Sequence, residues 1–292
     1  MRRGESGAVP DSPKKPPSDK GRFFCLWMMP AASPRGDTKE GLIMGFLKIV
    51  FIIVGSLAAA LMIFGGWYFI RMKHELDTMR PLDTQELVPG IYAIKDDHYI
   101  NMFLVKADAG YVAIDAAHHE DQVKREMARL NIDPAMVRAV LLTHSDYDHV
   151  GAVHLFSNAT VYLPAAEEQM ANGKTARAAL IHHNTFHCPY QLIADNQVLD
   201  ITGLKVKGIL TPGHTPGSTC YLINDEYLFT GDTLKLEDRK AVVFNEFFNM
   251  DTAAQKNSIA KLAGLTGIKY LFTDHYGYSD TKVFEDWGGT LA

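Results

Sequence analysis

Residues 49–70 form a run of 22 positions without a charge, and apolar side chains point from it in every helical direction. A helix of that length in water would keep a polar face. At about 1.5 Å per residue the run covers about 33 Å, the thickness of a bilayer's hydrocarbon core. Trp67 and Tyr68 stand at its far end, where interfacial aromatics belong, and Arg71 and Lys73 follow. The pattern predicts one transmembrane helix in residues 42–72. The only small-residue cleavage candidate, Ala58-Ala59-Ala60, lies in mid-run, which favours a retained single-pass anchor. Arg35, Lys39 and Lys48 before the span balance Arg71, Lys73 and Arg80 after it, so charge does not assign the side of the membrane.

Beyond a linker at 73–85 the pattern becomes that of a folded domain over residues 86–292. Residues 90–95, 101–106 and 110–115 read as strands joined by short turns, hence antiparallel. Val123, Met127 and Leu130 share one face of a helix over 120–131. Asp133-Pro134 reads as an N-cap with proline in the first turn. A strand at 137–143, a short helix at 150–156, a strand at 160–163 and a helix at 164–171 come next. Residues 172–197 carry no period and read as a loop. Strands at 197–201, 204–210, 220–223 and 227–230, a helix from Asp251 to Leu262 and a strand at 270–273 complete an α/β domain in two similar halves.

Composition changes the picture at the front of the chain. Residues 1–41 hold six of the 13 prolines and eight Lys/Arg against five Asp/Glu, with little to form a core, and read as a disordered tail. Met44 opens directly into the apolar run, and a start there would remove that tail. After residue 41 the chain is acidic, with 21 Lys/Arg against 29 Asp/Glu, and no basic stripe suggests nucleic-acid binding. Of three cysteines, Cys25 lies in the tail. Cys188 and Cys220 permit one disulfide at most, and Cys220 reads as a small buried hydrophobe within a strand.

Candidate chemistry concentrates where strands end. The strand at 137–143 runs into His144-Ser-Asp146-Tyr-Asp148-His149, four ligand-type side chains in six residues. Histidine and aspartate are the ligands of zinc, iron and manganese. Three further strands end in Gly213-His214, Gly231-Asp232 and Asp274-His275, and an earlier one in Asp115. Rigid strands that each deliver one polar side chain into a turn are how α/β folds collect a site. No Ser-His-Asp arrangement or phosphate-binding glycine loop competes.

The hexad, Gly213-His214-Thr-Pro-Gly-Ser218, Gly231-Asp232-Thr-Leu234 and Asp274-His275 resemble the successive motifs of the metallo-β-lactamase superfamily, over residues 86–278. The resemblance implies an αββα sandwich with a two-metal site at one edge, acting on a small-molecule substrate. It implies a first metal on His144, Asp146 and His214, and a second on Asp148, His149 and His275. Asp232 would bridge the two, Asp148 would also serve catalysis, and Asp115 would hold the ligand loops. Two divalent cations are implied, zinc first, by which hydroxide becomes available for hydrolysis of an ester, lactone, thioester, amide or phosphoester.

One position departs from the family pattern His-x-His-x-Asp-His: its second histidine is Asp146 here. The carboxylate hardens the site and gives iron or manganese more weight. It also keeps open a diiron oxidoreductase on the same fold. A non-catalytic, membrane-tethered metal-binding protein is the third reading. His118, His119, His182, His183 and His187 are candidates to line the site. Tyr147 and Tyr276 adjoin ligands and are candidate hydrogen-bond donors to a developing oxyanion. His74, His98 and His154 read as structural or exposed.

Overall fold

The computed structural model describes residues 38–97, 99–177 and 187–284, so the proline-rich tail, His98, His182 and His183 lie outside the described residues. The chain divides into two compact units, Met1–Leu61 and Met62–Ala292, and the boundary falls inside one long helix, α1 (Lys39–Thr78). In the first unit the described part of α1 is exposed throughout. The helix is long and apolar enough to cross a membrane, and none of its most apolar 18-residue stretch is buried.

In the second unit α1 continues to Thr78, through residues read above as linker. Charge pairs one turn apart carry it past the apolar run: Arg71 to Glu75 at 3.2 Å and Lys73 to Asp77 at 2.7 Å. Arg80 then ends it by donating to the Asp77 carbonyl at 2.5 Å. Glu75 and Met79 are buried, so this segment packs against the domain instead of spacing it from the helix.

The first sheet opens with an antiparallel meander, β1 (Gln85–Val88), β2 (Ile91–Lys95), β3 (Asn101–Ala107) and β4 (Gly110–Ile114). The strands β5 (Val137–Leu141), β6 (Thr160–Pro164) and β7 (Tyr190–Ile193) then add in parallel, and all seven lie in sequence order. Helix α2 (Glu120–Arg129) connects β4 to β5. The single turns α3 (Tyr147–Val150) and α4 (Glu168–Ala171) flank β6. The second half supplies β8 (Val198–Ile201), β9 (Leu204–Leu210), β10 (Thr219–Ile223) and β11 (Tyr227–Phe229). It continues with a separate hairpin, β12 (Leu234–Glu237) and β13 (Lys240–Val243), then α5 (Thr252–Ala263), β14 (Tyr270–Thr273) and β15 (Gly277–Asp280). The second sheet has the order β15-β14-β11-β10-β9-β8, with β11 and β14 its only parallel pair among the described residues.

Three apolar clusters bind these layers. Phe103, Ile114 and Leu141 of the first sheet face Tyr221, Phe229 and Phe272 of the second. Phe103 sets its ring 5.5 Å from both Phe229 and Phe272. Val123 and Met127 of α2 cover the outer face of the first sheet, and Ile259 and Leu262 of α5 cover that of the second. Helix, sheet, sheet, helix: this is the expected αββα sandwich, one sheet and its helices from each half. Both expected caps are present, with Asp133 accepting from Ala135 N–H and Asp251 from Ala254 N–H.

The differences have local causes. The helix expected at 150–156 begins earlier, at Tyr147 inside the hexad, and breaks before a 3-10 turn at Val153–Leu155. Of the helix expected at 164–171 only the last turn forms. The segment read as a loop holds β7, an edge strand whose single buried residue is Ile193, so no alternation marks it. The β12–β13 hairpin and β15 are likewise unmarked, being strands of only four residues each.

Candidate metal centre

The strand ends deliver their side chains to one place. At the end of β4, Asp115 adopts a left-handed conformation (φ 56°), which turns its carboxylate under the hexad. It accepts from the backbone N–H and the hydroxyl of Thr143, both at 2.7 Å, and so fixes the exit of β5. Gly231 (φ 49°) brings the Asp232 turn so close that a Cβ there would meet the Thr143 hydroxyl at 2.5 Å.

Two triads of ligand atoms result, His144-Asp146-His214 and Asp148-His149-His275, each within 4.8 Å of one another. In the first, Asp146 Oδ2 lies 3.4 Å from His144 Nε2 and 2.9 Å from His214 Nε2. In the second, Asp148 Oδ2 lies 3.8 Å from His149 Nε2 and 3.6 Å from His275 Nε2. Asp232 stands between the triads. Its carboxylate is 4.0 Å from His144, 3.6 Å from His149, 3.3 Å from His214 and 3.2 Å from His275, measured to Nε2.

All four imidazoles turn the same nitrogen inward. His149 Nδ1 donates to Asp115 (2.9 Å), His275 Nδ1 to the Tyr99 carbonyl (2.5 Å) and His214 Nδ1 to Asn249 Oδ1 (3.4 Å). The Thr143 hydroxyl donates to Asp115, so it accepts from His144 Nδ1 at 3.0 Å. In the neutral rings these outer hydrogen bonds select the tautomer whose Nε2 lone pair faces Asp232, the form that a cation would bind. His144 Nε2, His149 Nε2 and Asp232 Oδ1 are buried with no hydrogen-bond partner. Buried polar atoms orphaned around a common centre are costly unless something occupies that centre. A nitrogen-and-carboxylate donor set of this kind fits divalent transition metals.

Charge within the site tells the same story. Burial opposes ionisation of His275, but Asp232 and Asp148 together outweigh it and raise the imidazole to about 9. His149, against the same burial, is held well above its ordinary value by Asp232, Asp148 and Asp115. Asp232 is held well below the carboxylate range, its burial overcome by His275, His149 and His214. Without a cation, protons on these rings balance the buried carboxylates. Asp274 is pushed well up by burial and by the neighbouring Asp115.

Two contributors carry no signal in the sequence. Arg177 donates to the carbonyls of His214 (2.6 Å) and Phe248. It also places Nη2 3.1 Å from His214 Nε2 and 3.2 Å from Asp146 Oδ2. The guanidinium offsets the charge that Asp146 adds, and burial, helped by the guanidinium, lowers His214 to about 4. Glu167, fully buried, ties two ligand loops together. Its Oε1 accepts from the Ser145 N–H (2.9 Å) and hydroxyl (2.7 Å), its Oε2 from the Thr215 hydroxyl (2.6 Å) and the Gly217 N–H (3.1 Å). Gly217 permits that approach, since a Cβ would meet Glu167 N at 2.1 Å.

The other candidates separate. His118 and His119 do not join the triads; their backbone N–H groups and the His119 ring bond to Asp96, beside a different cavity. His187 is exposed, as are His74 and His154. Tyr147 lines the cavity over the triads, whereas Tyr276 does not. Cys188 and Cys220 are free thiols, the second buried as expected. The cavity over the triads has a volume of about 310 Å³ and adds Leu76, Met79, Phe244 and Phe248 to the ligand residues.

A sheet sandwich that gathers histidines and aspartates at its strand ends defines a metal-binding α/β fold. The chain belongs to the metallo-β-lactamase superfamily, whose family model matches residues 96–275. It is 32% identical over 157 residues to a probable polyketide biosynthesis zinc-dependent hydrolase of Bacillus velezensis, covering 50% of this chain and 62% of that protein. To a hydroxyacylglutathione hydrolase of Glaesserella parasuis it is 27% identical over 194 residues, 65% of this chain and 70% of that protein. The chain thus spans less than two thirds of the first of these relatives. Among solved structures, a metallo-β-lactamase family protein of Thermus thermophilus superposes with a TM-score of 0.57 at 21% identity, over 70% of this chain and 78% of that one.

Proposed function

We propose that the chain is a metal-dependent hydrolase, anchored by residues 42–72, that works with two divalent cations, zinc first, on a small ester, lactone, thioester, amide or phosphoester. The observation that carries this is Asp232, central to four inward-facing Nε2 atoms within 4.0 Å. The relatives named as a zinc-dependent hydrolase and a hydroxyacylglutathione hydrolase support the same reading.

His144, Asp146 and His214 would hold one cation, Asp148, His149 and His275 the other, and Asp232 both. When bound, such cations lower the pKa of water toward 7 and polarise the scissile group. Asp115 keeps the His149 ring in register through Nδ1, and Thr143 does so for His144. Asp148 is the most exposed of the proposed ligands, with its side chain 43% accessible. It faces the cavity, where it accepts a proton from the attacking water and returns it to the leaving group. The apolar walls limit the water that competes for the site.

Elemental analysis of the purified chain, followed by a chromogenic ester, lactone, thioester and β-lactam panel, tests the reading. Zinc with turnover is expected. Iron and colour without hydrolysis would favour the diiron oxidoreductase that Asp146 allows, and metal without turnover the binding protein.

Two outcomes follow from the charges. A cation must displace the protons held on His149 and His275, so zinc affinity rises with pH toward about 9 and weakens as pH falls. Competition with a chelator between pH 6 and 8.5 should show about tenfold per pH unit for each proton released. Arg177→Met removes a positive charge that faces Asp146 and His214 Nε2, and zinc titration should show one of the two sites tightened by at least about tenfold.

A further inference from the structure

The cavity over the triads is not closed by the domain alone. Leu76 comes from the last turn of α1, and Met79 follows its end. Met79 is buried, and the next N–H, that of Arg80, donates at 2.7 Å to the carbonyl of His275. The last turn of α1 is therefore built into the wall of the site. Leu76 lies six residues beyond Ile70, the last residue of that run, which is about 9 Å along a helix.

An aromatic path joins the two levels. Tyr68, at the interfacial end of the run, sets its ring 4.7 Å from Phe247. Phe247 lies 5.1 Å from Phe248, whose side chain lines the cavity beside Phe244. The lining combines the polar Asp and His cluster, with Arg177 and Tyr147, and the apolar side chains of Leu76, Met79, Phe244 and Phe248. A ligand that satisfies both ends has a hydrolysable polar group and a hydrocarbon chain. A chain of that kind partitions into the bilayer that α1 would cross.

We propose that the site takes acyl esters or thioesters with an extended hydrocarbon chain, whose tail runs along Leu76 and Phe248 toward the Tyr68–Phe247 level while the carbonyl lies over Asp232. This rests on the hydrolase and anchor readings above and adds the substrate class. Hydrolysis is ordinary acyl transfer to water: water's oxygen bonds to the carbonyl carbon, the ester bond breaks, and the carboxylic acid and alcohol or thiol leave.

The test uses the full chain, zinc-loaded, in phosphatidylcholine vesicles, with p-nitrophenyl acetate, butyrate, octanoate and dodecanoate. Each buried methylene is worth up to about fourfold, so kcat/KM should rise at least about tenfold from acetate to octanoate. Leu76→Ser and Phe248→Ser should each cut the octanoate-to-acetate ratio by at least about fivefold, and Leu76→Met should keep it. Comparing variants in the same vesicles cancels substrate partitioning. Turnover of the short esters with a flat chain-length profile, or a ratio untouched by both serine variants, would overturn the proposal and leave the hydrolase standing. No turnover of these esters, nor of the lactone, thioester and β-lactam panel, by zinc-loaded protein would overturn both.

Discussion

Asp232→Ala is expected to empty the site of metal and lower kcat/KM by at least about 10³-fold, about 4 kcal/mol of transition-state stabilisation. The size follows from geometry: one carboxylate serves both triads, so its loss removes an anionic donor from each. It also removes the charge that raises the two histidines of the second triad, so His275 should titrate below about 9 in the metal-free variant. That variant should keep its fold, because Asp232 side-chain atoms do not hold the sheets together. Metal content, ester turnover and the ring titration by NMR check the three parts separately. Retained stoichiometric zinc with near-wild-type turnover would place the chemistry elsewhere.

Glu167→Ala is expected to destabilise the metal-free protein by about 2–4 kcal/mol and to weaken metal binding by about 10–100-fold. Four donors converge on this fully buried carboxylate, from Ser145 beside the first ligand and from Thr215 and Gly217 beside His214. Alanine removes the carboxylate acceptor of two backbone N–H groups in a closed space and unties two loops at once. Glu167→Gln should fall between, since its one carbonyl oxygen can still serve Ser145 while its amide can only donate toward Gly217. Denaturant unfolding and zinc titration measure the two effects. A loss under about 1 kcal/mol would show that the loops hold their register without the clamp.

The two sheets and the residues of the candidate site were legible in the sequence because both are written in short-range patterns. Apolar strands such as 137–143 and 204–210 alternate or run unbroken into a polar turn, and each turn announces its ligand. Asp115, His144, Asp146, Asp148, His149, His214, Asp232 and His275 all arrive in one cluster. What escaped is what long-range contact decides. Glu167 sits in an unremarkable Ala-Glu-Glu stretch and becomes a clamp only when β6 brings it beneath two loops. Arg177, in a segment without period, reaches His214, 37 residues on, and Phe248, 71 residues on. Leu76 and Met79 read as linker because nothing in the sequence marks a helix end as the wall of a site more than sixty residues away.

Anomalous diffraction at the zinc edge from crystals of the zinc-loaded protein tests the central claim most directly. Two peaks are predicted, one among His144, Asp146 and His214, the other among Asp148, His149 and His275, with Asp232 between them. A single peak, or none within reach of Asp232 in an active crystal, would contradict it.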